Sequence, residues 1–234
     1  MTNPKDKGMN KYKPEEPSVE TKIINDDFRN YLAMFTQDAF IISDPPYNQN
    51  YHYSEYADNL HLDDYAEMLS HAFKDQKSVI ISYPEETINI LGKILDKCEQ
   101  VVSWVYNSNT AKQSRLITWW GCKPDFCKVG QDYKNPTDKR IAKRIADGKR
   151  ARLYDWWEIN QVKNVSKKDN PHPCPIPYEV AERIILTTTN EGDLVIDPFA
   201  GSGTILLAAK NNNRRYLGFE IDKTYYDYAK EALR

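Results

Sequence analysis

The sequence contains no C-x-x-C pair. Its four cysteines stand apart at positions 98, 122, 127 and 174, so no thiolate metal site or redox dithiol is indicated and reduced thiols are expected. No metal ligand set stands out elsewhere. No apolar run approaches the roughly 18 residues of a membrane span, and the N-terminus has no signal-peptide core, so a cytoplasmic protein is expected. Charge of neither sign dominates: 32 Lys and Arg face 34 Asp and Glu, a net charge of −2. A global field that would announce nucleic acid is therefore lacking, and such a signal has to come from how charge is distributed. At 234 residues, 40% hydrophobic and 28% charged, the chain suits one globular domain with room for a small insertion, not two full domains.

Residues 1–19 are polar, carry prolines at 4, 14 and 17, and offer little to bury, which predicts a disordered or loosely attached tail before a domain over 20–234. From there the apolar pattern alternates between strands and helices. Strands are expected to begin at Lys22, Phe40, Ser78, Val101, Leu116 or Asp125, Leu194 and Arg215. Helices are expected over Phe28 to Phe35, from Asp63 or Asp64 to Lys74, over Glu85 to Lys97 with Ile88, Leu91, Ile94 and Leu95 inward, and from Pro177 to Thr189. The pattern is that of an α/β protein with a mostly parallel sheet and an antiparallel edge.

Two stretches carry chemistry. In the first, the apolar run Phe40-Ile41-Ile42-Ser43 ends in Asp44-Pro45-Pro46-Tyr47, a buried strand breaking into a rigid turn. Ligands of open α/β sheets sit beyond the carboxyl ends of the strands, which places Asp44 and Tyr47 at such a crevice. The prolines remove N–H donors, so the turn offers a carboxylate and carbonyl acceptors, suited to a substrate that brings N–H groups such as the exocyclic amine of a nucleobase. The alternative is an ordinary Pro-Pro turn, and the tetrapeptide alone does not separate the two. The polar segment Asn48 to Leu60 that follows, with Tyr51, Tyr53 and Tyr56, reads as a mobile loop over the crevice.

The second stretch is Leu194-Val195-Ile196-Asp197-Pro198-Phe199-Ala200-Gly201-Ser202-Gly203-Thr204, leading into an Ala/Leu-rich helix, with Glu220 at the end of the next strand. Strand, glycine-rich turn and helix in direct succession bring backbone close to a nucleotide-like ligand, and the acid can accept both hydroxyls of a ribose. A dinucleotide fingerprint would place a third glycine where Leu206 stands, and a Walker loop would need a lysine that is missing. Phosphate is thereby set aside, and the sulfonium cofactor S-adenosylmethionine fits.

Charge is polarised after about residue 131. The window 131–170 holds eleven Lys or Arg against six Asp or Glu, which leaves the rest of the chain acidic. Lys139, Arg140, Lys143, Arg144, Lys149, Arg150 and Arg152 crowd onto a short helix and its exit. The bland reading is a solvated face with Ile141 and Ile145 anchoring the other side. A basic insert in an acidic α/β domain is also what a phosphate-backbone contact requires. Trp156 and Trp157 behind it suit the core, stacking, or both.

D-P-P-Y at Asp44 to Tyr47, followed much later by D-P-F-A-G-S-G-T at Asp197 to Thr204, resembles the permuted beta group of DNA amino-methyltransferases, which act on adenine-N6 or cytosine-N4. The resemblance covers essentially residues 21–234. It implies an S-adenosylmethionine-dependent, Rossmann-like fold of seven strands, mostly parallel with one reversed, in circularly permuted motif order. The implied catalytic residues are Asp44, Pro45, Pro46 and Tyr47. The implied cofactor residues are Asp27, Asp44, Asp197 through Thr204, and Glu220, with Asp27 matching an acid that the family carries ahead of its catalytic strand. His172-Pro173 resembles the family's H-P-x-Q-K-P segment, with Pro175 and Ile176 where Gln and Lys are usual. The resemblance further implies double-stranded DNA as partner, the 131–170 insert as its recognition region, and base flipping. Asp at the first motif position points to adenine-N6 over cytosine-N4, and the acid version ahead of the glycine loop speaks against an RNA or protein amide methyltransferase. A homodimer, and a cognate restriction endonuclease or a solitary enzyme, stay open.

Overall fold

The computed structural model describes residues 21–51, 56, 58–108, 111–162 and 170–234. The 1–19 tail, part of the loop after Tyr47 and the end of the basic window lie outside them. Among the described residues ten strands are formed: β1 (Lys22–Ile24), β2 (Phe40–Ser43), β3 (Lys77–Ser82), β4 (Cys98–Val105), β5 (Ser114–Trp120), β6 (Gly130–Gln131), β7 (Ala151–Arg152), β8 (Trp156–Glu158), β9 (Leu194–Asp197) and β10 (Arg215–Phe219). Around them run α1 (Leu62–Phe73), α2 (Pro84–Glu86), α3 (Gly92–Ile94), α4 (Lys139–Ala146), α5 (Tyr178–Thr188), α6 (Thr204–Asn211) and α7 (Lys223–Ala232).

Eight strands make one sheet in the order β1-β10-β9-β2-β3-β5-β4-β8, while β6 and β7 pair separately. Within the large sheet β5 is the reversed strand, antiparallel to both β3 and β4. The seven expected strands are all present. The eighth, β8, pairs parallel with β4 through Trp104 and Trp157, extending the sheet beyond the seven anticipated. Asp125 to Val129 forms turns instead of a strand.

The central strands are apolar without interruption because both their faces are covered. Ile41, Ile80, Ile196 and Leu217 pack in one layer with Tyr65, Met68, Leu69 and Phe73 of α1. Ile42, Val79, Ile81, Val195 and Tyr216 pack in the other with Val180, Ile184 and Ile185 of α5 and Leu206 of α6.

Local departures from the sequence pattern have physical causes. Phe28–Met34 is a 3-10 helix kinked at Tyr31, not an α-helix. His61, not Asp63 or Asp64, caps α1, and the two acids occupy its first turn, where the helix dipole favours them. Between α2 and α3 the chain forms a π-turn over Thr87–Leu91. This wider turn breaks the 3.6-residue register, and Ile88, expected inward, is 71% exposed.

β2 and β9 lie side by side and parallel, pairing Phe40 with Val195 and Ile41 with Ile196. At their carboxyl ends the Ser43 hydroxyl donates to the Asp197 carboxylate, which also accepts from the Phe199 N–H at 3.1 Å. Burial raises the Asp197 carboxyl to about 7, the two hydrogen bonds opposing the shift only in part. An acid whose folded value is raised contributes stability that is complete below its unfolded value near 4 and lost as pH rises through the folded one. Asp197→Asn keeps an acceptor and removes the ionisation. Relative to the parent, this variant should therefore gain stability between pH 5 and 8, by on the order of 2–4 kcal/mol in urea unfolding. A parent-to-variant difference independent of pH would show that Asp197 does not titrate in this range.

Candidate active site

β2 delivers Asp44 to the mouth of the sheet, and Pro45 and Pro46 turn the chain sharply. The turn is fastened from α1, where the Tyr65 hydroxyl donates to the Pro46 carbonyl at 2.8 Å. Both oxygens of the Asp44 carboxylate are engaged. The Tyr47 hydroxyl donates to Oδ1, and Arg115 Nη1 donates to Oδ2 at 3.2 Å. Arg115 comes from the reversed strand β5 and is only 5% exposed. Its guanidinium lies 5.2 Å from the Tyr47 ring centroid, 5.3 Å from that of Tyr83 and 5.4 Å from that of Trp104. The Tyr47 ring packs against that of Tyr83 with centroids 4.9 Å apart.

Electrostatics follow from this packing. Burial pushes the Asp44 carboxyl up, opposed by the Arg115 charge and by the hydrogen bond from Tyr47. Burial likewise pushes the Tyr47 phenol well up, so it stays a neutral donor. For Arg115 burial works against the charge, but Tyr47, Asp44, Tyr83 and Tyr106 outweigh it and hold the guanidinium charged.

The loop after Tyr47 is tied down in its described part. Asp58 is buried and accepts the backbone N–H groups of Asn48 at 2.8 Å, Gln49 at 3.0 Å and Tyr51 at 3.0 Å. Asn48 exchanges two hydrogen bonds with the Leu60 backbone, at 2.9 and 2.6 Å. These residues of the segment read as a loop over the crevice are tied by hydrogen bonds; positions 52–55 and 57 lie outside the described ones. Gln49 also donates to Glu86 at 2.7 Å.

Beside the D-P-P-Y turn the glycine loop follows β9. Gly203 caps α6 at φ +79°, and a Cβ there would come within 2.9 Å of the Ala229 Cβ. Gly201, at φ +51°, passes so close to His172 that a Cβ would lie 3.1 Å from its Nε2. Glu220 ends the neighbouring strand and accepts from Gly201 N–H at 2.7 Å and Asp222 N–H at 2.8 Å. Each of its oxygens keeps a lone pair for a further donor. Burial raises its carboxyl, opposed by those N–H groups. Burial also lowers His172 to about 4, so the imidazole is neutral near pH 7.

One cleft of about 820 Å³ joins the two motifs. Of the residues singled out in the sequence, Asp27, Asp44, Pro45, Pro46, Tyr47, Pro198, Phe199, Gly201 and Glu220 line it. Asp197, Ala200, Ser202, Gly203 and Thr204 do not. Asp197 is spent on Ser43 and Phe199, and Gly203 and Thr204 open α6, so these residues shape the loop from behind. Asp27 faces the cleft with its carboxylate gripped by Arg29 at 2.6 Å. His172 and Cys174 reach the cleft from the proline-rich connector, whereas Ile176 is buried in the core. Arg115 and Asp58 were not anticipated, and no motif or spacing marks either.

The seven cations of the basic segment lie apart from the cleft and are all exposed. α4 forms as expected, capped by Asp138, but none of its residues is buried, so Ile141 and Ile145 do not anchor it in the core. Arg144 reaches the Tyr133 hydroxyl at 2.9 Å. The two tryptophans divide their roles. Trp157 is core, and Trp156 is 39% exposed with Lys134 Nζ 3.8 Å from its ring centroid.

Known proteins resemble the chain along most of its length. Type II methyltransferase M.HpaI of Haemophilus parainfluenzae is 31% identical over 221 residues, covering 82% of this chain and 67% of that protein. The DNA adenine methyltransferase YhdJ of Escherichia coli (strain K12) is 25% identical over 223 residues, covering 83% of this chain and 74% of that protein. Among solved structures, that of PvuII DNA methyltransferase, named as cytosine-N4-specific, shares the fold with a TM-score of 0.63 at 18% identity, over 92% of this chain and 88% of that one. The model of the N6_N4_Mtase family, described as DNA methylase, matches residues 39–231, and the chain belongs to that family.

Proposed function

We propose that the protein transfers a methyl group from S-adenosylmethionine to the exocyclic N6 of adenine in double-stranded DNA, after flipping the base out of the helix. The observation that carries this reading is the shared cleft. It holds a carboxylate and donor-free prolines at one end, and an acid beside a glycine turn at the other. Its lining carries the carboxylates of Asp27, Asp44, Asp58, Glu220 and Asp222, and its two arginines, Arg29 and Arg115, are paired with Asp27 and Asp44, which leaves an acceptor set suited to a cationic sulfonium with ribose hydroxyls.

Bound there, S-adenosylmethionine supplies an electrophilic methyl group. Glu220 accepts the ribose hydroxyls, and Gly201, Pro198 and Phe199 give the backbone and apolar contacts around the adenosine. Asp44 and the Pro45 carbonyl accept the hydrogens of the target amine. The lone pair of that amine is delocalised into the base, so fixing its orientation is the main catalytic gain. Tyr47 supplies a ring face for the extruded base, which must leave the stack for its amine to be reached. Asp at the head of the motif favours adenine, with cytosine-N4 as the second reading. The exposed cations from Lys139 to Arg152 would lie along the phosphate backbone, as the recognition insert of a methyltransferase domain. A substrate of this kind is consistent with an enzyme of the cytoplasm of a bacterial or phage-infected host cell.

Asp44→Ala should leave S-adenosylmethionine and duplex affinity within a few-fold but lower single-turnover methyl transfer by orders of magnitude, because the lost contact matters mostly as the amine attacks. Mapping the modified base in parent-treated DNA separates adenine from cytosine. Near-parental transfer by Asp44→Ala would remove the D-P-P-Y turn from the chemistry. For the insert, neutralising Lys139, Arg140, Lys143 and Arg144 together should weaken duplex binding about equally across sequences and flatten its salt dependence, with cofactor affinity retained. An unchanged salt slope in fluorescence anisotropy would return α4 to the role of a solvated helix.

A further inference from the structure

We propose that Arg115 is a positioning residue: it is the counter-ion that keeps Asp44 an acceptor while the target amine takes the place of the Tyr47 hydroxyl. The inference rests on the reading of Asp44 as the acceptor for that amine.

The two carboxylate oxygens have different partners. Oδ1 is taken by the Tyr47 hydroxyl and Oδ2 by Arg115. Oδ1 keeps a second lone pair, but a base that stacks on the Tyr47 ring has to part it from Tyr83, and the hydroxyl that turns with the ring leaves Oδ1 to the amine. At that moment a buried carboxylate without a counter-charge would take up a proton, and a protonated Asp44 would present a hydroxyl donor at one oxygen and only a neutral carbonyl acceptor at the other. Arg115 does not share the motion of Tyr47. It stands on β5, hydrogen-bonded on both sides to β3 and β4. It faces the rings of Tyr83 and Trp104 as well as that of Tyr47, and aromatic faces favour a cation. The Trp104 indole is itself fixed by donating to the Ile159 carbonyl at 2.7 Å.

A second observation separates this role from that of a structural arginine. Arg115 Nε is wholly buried and has no hydrogen-bond partner among the described residues, whereas a guanidinium that knits a core together has its donors satisfied. The titratable groups that act on Asp44 are Tyr47 on its own turn, Tyr65 from α1, Cys174 from the connector and Asp197 from β9, and those that act on Arg115 besides Asp44 and Tyr47 are Tyr83, Tyr106, Cys174 and His172, whose imidazole is neutral near pH 7. None of these supplies a positive charge, and Arg115 is the cation opposite the carboxylate.

The test is the pH dependence of single-turnover methyl transfer for the parent, Arg115→Met, Arg115→Lys and Asp44→Asn, with S-adenosylmethionine titrated calorimetrically into each to establish that it is folded. Arg115→Met should move the acid limb of the profile upward by about one pH unit or more and lower the plateau about tenfold. Arg115→Lys should hold the limb near its parental position with a smaller loss of plateau, and Asp44→Asn should lose the limb. If Arg115→Met does not fold, Arg115→Gln, neutral but polar, carries the same expectation. A neutral variant whose acid limb stays where the parent has it overturns the proposal, whatever happens to the plateau. Parental transfer by Asp44→Asn with the limb intact would instead overturn the role of Asp44, a result distinguishable from failure of the Arg115 proposal alone.

Discussion

The parallel pairing of β2 with β9 is the constraint on which the cleft depends. Phe40 lies opposite Val195 and Ile41 opposite Ile196, so both strands point their carboxyl ends the same way and finish at the same level. The Ser43–Asp197 hydrogen bond links positions 154 residues apart at the point where the two chains diverge. A slip of one residue would send each apolar side chain to the opposite face and separate these two groups. Because adjacency in the sheet does the work, the order in which the D-P-P-Y turn and the glycine loop occur along the chain is immaterial to the site they make.

Among the carboxylates at this end of the sheet, Asp44, Glu220 and Asp197 are each accommodated by a different route. Asp44 has a buried guanidinium. Glu220 has two backbone N–H groups. Asp197, with a hydroxyl and one N–H, is displaced toward the neutral form. Burying a charge is tolerable when it is paired or hydrogen-bonded, and otherwise the group neutralises. Burial pushes all three carboxyls up, Asp44 and Glu220 at the lining of the cleft and Asp197 behind it at the strand junction.

How much of this could be read beforehand follows from where the information resides. The strands at Phe40, Ser78, Leu194 and Arg215 were legible because strands covered on both faces are continuous apolar runs. The glycine turn was legible because a backbone at φ +51° and +79° with neighbours close by requires that residue. Arg115 was not, since a single arginine at the start of a strand looks like a solvent-facing end. Its meaning comes from β5 lying next to β3, a tertiary fact. Asp58 is similar: an acid in a polar loop turns out to gather three N–H groups from ten, nine and seven residues away. The π-turn that exposes Ile88, and the pairing of Trp157 with Trp104 that adds β8, are also settled by packing and leave no periodic trace.

The basic helix shows the opposite balance, with local sequence legible and tertiary support thin. α4 has eight residues and none is buried, so packing contributes little to it. Isolated helices of that length are marginal in water. Lys139 and Lys143, and Arg140 and Arg144, repeat like charges four positions apart on its surface, which weakens it further. What holds it are the Asp138 cap, the contact of Arg144 with the Tyr133 hydroxyl, and the β6–β7 pairing that closes the segment at its base. An array of phosphates along this face would relieve the repulsion that the bare helix carries. If this segment meets a polyanion, as proposed, order in α4 and affinity for it are coupled by the same charges.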